Sequence, residues 1–241
     1  MDSWLLLGAL PMLATLPRGD GHPVLILPGL GASDISTLTL RTILSRLGYA
    51  VHGWRLGYNI GPTARVVQGV PMRLEELHAR YHRPVTVIGW SLGGLYARRL
   101  ARSHPELIRQ VITLGSPIRL SRYQQSNSHR IYDLLKRLHA EHYSLPLEQG
   151  EGPLPVPATS FYSRRDGMVC WQICLDDHGG PQAENIEVRA AHFGFGVHPA
   201  VIWALADRLA QSLGRWAPFR PPALMAGAYP RVQWDFSGAQ T

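Results

Sequence analysis

The chain has 241 residues, 45% of them apolar and 17% charged, with 24 glycines and 19 prolines distributed along its length. That is the profile of one globular domain with many tight connections, in which disorder is expected only at the ends. The net charge is +7, yet Lys136 is the only lysine and the arginines stand in ones and twos, as at Arg98–Arg99 and Arg164–Arg165; with no basic run, helix-turn-helix, RNP or zinc-finger pattern, no nucleic-acid partner is expected.

Residues 1–21 form an N-terminal apolar segment too short to span a bilayer, opening on Asp2 where a leader would carry a basic stretch. It reads as a packing helix, with peripheral membrane contact as the minor alternative, and a cytoplasmic location is expected. From residue 22 to 214, short β-rich runs alternate with segments of helical period. HPVLILPG is the first strand. The turn Gly29-Leu30-Gly31 leads to a helix in which Leu40, Ile43, Leu44 and Leu47 recur on one face and Gly48 closes the last turn. YAVHGWRLG is a second strand ending in glycines, Thr63 to Tyr81 a helix disturbed by Pro71, and RPVTVIG a third strand. A helix from Ser91 to about Ser103 follows, then the strands QVITLGS, PATSFYS and NIEVRAA, and an amphipathic helix PAVIWALADRLAQSLG. This order predicts an α/β fold, a mostly parallel sheet of about six strands covered by helices on both faces.

Residues 118–157 make a longer connection in which Ile131, Leu134, Leu135 and Leu138 form one stripe. Such lengths are uncommon without a role, so a small helical lid is one reading and an ordinary crossover helix the other. Residues 215–241 read as a C-terminal tail. Cys170 and Cys174 lack further Cys or His partners at metal-ligand spacing, so buried free thiols are expected, with no metal site.

The chemistry concentrates at Gly89-Trp90-Ser91-Leu92-Gly93, a Gly-x-Ser-x-Gly string at the passage from third strand to helix. A serine on such a corner is forced into a strained backbone and needs neighbours without side chains, which Gly89, Gly93 and Gly94 supply. A lone hydroxyl is a poor nucleophile at neutral pH; it needs a histidine to take its proton and an acid to orient that histidine. In a parallel sheet such groups gather beyond the carboxyl ends of the strands. Asp166 follows the fifth strand in an Asp-Gly turn, and His192 follows the sixth, giving the order Ser91, Asp166, His192. His178 lies in a Gly-rich loop, His198 precedes Pro199 as a helix cap, His82 stands at the wrong end of the sheet, and Ser116 lacks a second glycine and is read as shaping its loop. Attack on a carbonyl creates an oxyanion, for which the backbone N–H groups of Leu92 and Leu30 are the expected donors.

With these residues in place, the sequence resembles the α/β-hydrolase superfamily, in its bacterial esterase and lipase branch. The likeness covers roughly residues 22 to 214 through PGLG, GWSLGG, SRRDGMV and AHFGFG, in that order. Two departures stand out. Related lipases begin the oxyanion turn with His-Gly where this chain has Pro28-Gly29, which leaves the anchoring of that loop open, and the family's first two strands are not evident. The resemblance implies a serine carboxylesterase or lipase-like enzyme acting on a small-molecule or lipid ester without a cofactor. Trp90 and Phe193 are expected to line the substrate site. Thioester cleavage or acyl transfer by the same three residues, and a non-catalytic scaffold of the same shape, are the alternatives.

Overall fold

A computed structural model describes residues 15–119, 152–177, 180–230 and 232–233. The N-terminal segment up to residue 14, the Ile131–Leu138 stripe and His178 lie outside the described residues. Seven strands form one sheet: β1 (Pro23–Leu27), β2 (Ala50–Gly53), β3 (Val85–Trp90), β4 (Ile108–Leu114), β5 (Ala158–Tyr162), β6 (Ala183–Glu187) and β7 (Val232–Gln233), in the order β2-β1-β3-β4-β5-β6-β7. The first six are parallel, as expected, and β7 adds an antiparallel edge that the sequence did not reveal. The helices are α1 (Leu38–Arg46), α2 (Ala64–Tyr81), α3 (Leu92–Ser103) and α4 (Pro199–Ala210).

Strand alternation divides the core into two layers. Val24 and Ile26 of β1, with Ile88 and Trp90 of β3, face the apolar sides of α1 and α4. Leu25 and Leu27, with Val85 and Val87, face Val66, Val70, Leu74 and Leu77 of α2 and Leu95, Tyr96 and Leu100 of α3. Helices therefore cover both faces. The chain steps from β1 outward to β2 and then returns to place β3 on the other side of β1, so a topological switch point opens between the carboxyl ends of β1 and β3.

The sixth strand begins two residues earlier than its apolar pattern indicated. Ala183, Glu184 and Asn185 belong to it, although two of them are polar and all are buried. They are accommodated by partners: Glu184 accepts from Arg208 of α4 at 2.8 Å, from Thr159 at 3.1 Å and from the Phe219 N–H at 2.7 Å, while Asn185 bonds the backbone of Asp176. Asp176 is itself paired with the buried Arg98 of α3 at 2.6 Å. The stretch from 215, read above as a tail, buries Phe219 and Tyr229 against α4, where the Tyr229 hydroxyl donates to the Ala200 carbonyl at 2.7 Å. Both cysteines are free thiols, but only Cys174 is buried. Cys170 is exposed, because it sits at the rim of a 3-10 turn, Trp171–Cys174. No described helix is long and apolar enough to cross a membrane.

At the amino end of the sheet, His22 is fully buried, with Nδ1 donating to Asp20 at 2.5 Å and Nε2 accepting from Thr86 at 3.0 Å. Burial pushes its pKa down to about 4, and the charges of Arg109 and Arg83 press the same way. An unfolded histidine titrates near 6.5, so between these values the unfolded chain binds the extra proton and stability falls as the pH falls. At about 1.4 kcal/mol per unit the loss approaches about 3 kcal/mol by the lower limit. Calorimetric melting at pH 7 and pH 4.5 is expected to show that loss in the native chain and a flatter dependence in His22→Gln.

Candidate active site

Strand β3 and helix α3 meet at Ser91 alone, whose backbone sits at φ 52° and ψ −120°. A residue with a Cβ pays for this left-handed conformation, and the packing around it enforces the cost. A methyl group on Gly89 would overlap Gly94 Cα, and one on Gly93 would overlap the Leu27 carbonyl oxygen, so helix and strand close to a distance that only glycines allow. The Ser91 N–H donates to the Leu114 carbonyl at 2.9 Å, tying the corner to the end of β4. Ser116 is buried beneath it, its hydroxyl against the Gly89 and Leu114 carbonyls at 3.4 and 3.5 Å, in the loop-shaping role read from the sequence.

The turn after β1 lies directly against this corner. A Cβ built on Gly29 would stand 3.1 Å from Ser91 Cβ and 3.7 Å from its hydroxyl oxygen. Ala32 N–H closes the turn onto the Gly29 carbonyl at 3.2 Å. Leu92 opens α3, and a first-turn N–H has no acceptor within its own helix. Neither the Leu92 nor the Leu30 N–H has a hydrogen-bond partner among the described residues. Two free backbone donors thus flank the serine, one of them at the positive end of a helix.

Asp166 stands four residues beyond β5, in a turn closed by its own N–H on the Ser163 carbonyl at 3.2 Å. Its Oδ1 accepts the N–H groups of Met168 and Val169 at 2.8 and 2.9 Å, which aims Oδ2 at His192 Nδ1, 2.7 Å away. The two side chains are 1% and 8% exposed, respectively. His192 begins a 3-10 turn, His192–Gly194, whose carbonyl is held by the Trp90 indole N–H at 3.2 Å. Trp90 lies in the core, with Gly196 packed so closely on its ring that a Cβ there would come within 2.8 Å. Its neighbour in the expected substrate site, Phe193, is 77% exposed and edge-on to the His192 ring.

Gly115, next to the residue that accepts the Ser91 N–H, joins these parts. It has φ 54°, and a Cβ on it would sit 3.0 Å from Asp166 Oδ2 and 3.3 Å from His192 Nδ1. The structure therefore brings Asp166 and His192 into contact, and Ser91 is linked to that pair through Leu114–Gly115, on which its N–H bonds and against which both side chains pack, and through its chain neighbour Trp90. The Ser91 hydroxyl makes no hydrogen bond to the described residues; serine–histidine bonds in free hydrolases often tighten only when substrate arrives. Of the competing histidines, His198 caps α4 by accepting the Ala200 N–H at 3.3 Å, and His82 ends α2 at the opposite end of β3. Sequence reasoning missed Gly115, although a strand-ending glycine is visible in TLGSP.

No protein-family model matches the chain. Over 100 residues it is 35% identical to the pimeloyl-[acyl-carrier protein] methyl ester esterase of Aeromonas hydrophila subsp. hydrophila, covering 41% of this chain and 39% of that enzyme. It is 28% identical to the Klebsiella pneumoniae enzyme of the same name, over 47% of this chain and 64% of that one. The matches thus span less than two thirds of either curated relative. Among solved structures, an α/β hydrolase from the sediment metagenome of the Mar Chica lagoon superposes with a TM-score of 0.59 at 20% identity, over 79% of this chain and 91% of that one. The chain has the α/β-hydrolase fold. No described strand precedes β1, and the turn after it begins with Pro28-Gly29, the two departures noted in the sequence.

Proposed function

We propose that this α/β-hydrolase is a serine hydrolase that cleaves carboxylic esters through an acyl-enzyme on Ser91. The observation that carries this reading is the buried Asp166–His192 pair, at 2.7 Å, packed on Gly115 next to the residue that holds the N–H of a strained serine, itself flanked by two unpartnered backbone donors. With Nδ1 donating to Asp166, Nε2 keeps its lone pair and is the base. It takes the Ser91 proton as the oxygen attacks the ester carbonyl, and the carbonyl oxygen becomes an oxyanion held by the Leu30 and Leu92 N–H groups. The imidazolium then gives its proton to the departing alcohol, and water repeats the sequence to release the acid. No step draws on a cofactor.

The substrate class follows from the mouth of the site. Ile35, Leu38, Tyr58 and Phe193 are exposed on segments following β1, β2 and β6, at the carboxyl end of the sheet. Their exposure at the end of the sheet that carries Ser91 supports an apolar binding surface there. The matched relatives are named for hydrolysis of a methyl ester, and we assign this chain an apolar acyl group, with Phe193 in contact with substrate and Trp90 bracing the histidine loop. A fluorophosphonate probe is expected to add to the peptide carrying Ser91 in the native chain, as read by mass spectrometry. Absence of that adduct overturns the proposal. A chain-length series of nitrophenyl esters beside acyl-CoA substrates separates ester from thioester cleavage.

A further inference from the structure

The loop after β2 supplies one residue that reaches both components of the oxyanion site. Asn59 is fully buried. Its Nδ2 donates to the Pro28 carbonyl at 2.8 Å, its backbone carbonyl accepts the Gly31 N–H at 2.7 Å, and its own N–H donates to the Ala32 carbonyl at 2.8 Å. It therefore grips the Pro28–Ala32 turn at both ends, with Gly29 and Leu30 held between the points of attachment. On its other side, Oδ1 accepts the Tyr96 hydroxyl at 3.3 Å and the Gly61 N–H at 3.2 Å. Two donors on one side and an acceptor on the other leave the amide a single orientation. Tyr96 belongs to α3, the helix whose first N–H is that of Leu92. One side chain thus links the turn that presents Leu30 to the helix that presents Leu92.

We propose that Asn59 is the positioning residue of the oxyanion site, holding the Leu30 N–H in register with the Leu92 N–H. The two donors come from different segments, and an oxyanion hole gains its effect only when both point at the same developing charge. The Pro28-Gly29 turn is anchored here from the loop after the edge strand β2, by a residue 31 positions from Pro28. The inference rests on the serine-hydrolase reading of Ser91.

The test compares the native chain with Asn59→Asp, Asn59→Ala and Tyr96→Phe. It measures kcat and KM on a nitrophenyl ester, the rate constant of fluorophosphonate addition to Ser91, and the melting temperature. Asn59→Asp keeps the size of the side chain and both acceptor contacts but sets a carboxylate oxygen against the Pro28 carbonyl. It is expected to lower kcat and the labelling rate about 10- to 100-fold, somewhat less than outright removal of an oxyanion donor, with KM within about twofold. The ratio of its activity to that of the native chain is expected to rise as the pH falls, because a protonated carboxyl can again donate to Pro28. A residue with a purely structural role would lower the melting temperature and leave kcat and that ratio unchanged; this outcome, or a loss confined to KM, overturns the inference. If Asn59→Asp and Asn59→Ala fail to fold, Tyr96→Phe decides: a loss of kcat of about threefold or more supports the proposal, and an unchanged kcat overturns it. Failure of the native chain to label at Ser91 sinks the serine-hydrolase reading itself, which keeps the two failures apart.

Discussion

Replacing Ser91 with alanine is expected to lower kcat for ester hydrolysis on the order of 10⁶-fold, while the melting temperature stays close to that of the native chain. The catalytic part of this follows from the covalent step. In the proposed mechanism no acyl-enzyme forms without Oγ, and what remains is the contribution of binding and of the two proposed oxyanion donors, on the order of 10³-fold over water. The stability part follows from the backbone. Alanine keeps a Cβ, so the strain at φ 52° is unrelieved and only a partly exposed hydroxyl is lost. Glycine at the same position separates the two effects. Ser91→Gly is expected to be equally inactive yet to melt about 2–4 °C above Ser91→Ala, since a left-handed residue without Cβ returns about 1 kcal/mol of strain. Steady-state hydrolysis and scanning calorimetry on the three proteins check both statements. Equal melting temperatures for the alanine and glycine variants would mean that the corner stores no strain.

The sheet, its parallel sense, the Ser91 corner and the Asp166–His192 contact were legible because each rests on a local signal: an apolar run, a helical stripe, a glycine that a tight corner requires, or a position just past a strand end. Gly89 and Gly93 illustrate this, since the contacts that exclude a side chain are made within the same strand-turn-helix unit or with the adjacent strand. Features that depend on partners far along the chain were not legible. Glu184 looks like a loop residue until Arg208 and Phe219 are brought around it. Trp90 adjoins the serine in sequence, and what the sequence could not announce is that its indole bonds the loop of a histidine 102 positions away. Asn59 is the clearest case. An asparagine in a glycine-bounded loop is ordinarily a turn residue, and nothing near it in the sequence announces its contacts with Pro28 and Tyr96.

Asp166→Asn is expected to lower kcat by about 10⁴-fold without disturbing the fold. The reason lies in how the carboxylate is already held. One oxygen is committed to the Met168 and Val169 N–H groups, so an asparagine keeps those bonds by placing its carbonyl oxygen there. Its NH2 group must then face His192 Nδ1. A donor in that position bonds the imidazole tautomer with its proton on Nε2, the nitrogen that accepts the serine proton in the proposed mechanism, so the base is presented in its unreactive form. The loss should fall on acylation and deacylation alike, since both use Nε2, and should leave KM little changed because no substrate contact is removed. Asp166→Ala forms the control. It deletes the wrong donor along with the right acceptor, and it strips Met168 and Val169 N–H of their partner, so it is expected to retain a less biased tautomer but to melt lower than Asp166→Asn. Proton NMR of the ring nitrogens in the two variants distinguishes the tautomers directly, and a native-like Nδ1–H signal in Asp166→Asn would show that Asp166 does not select the form of His192.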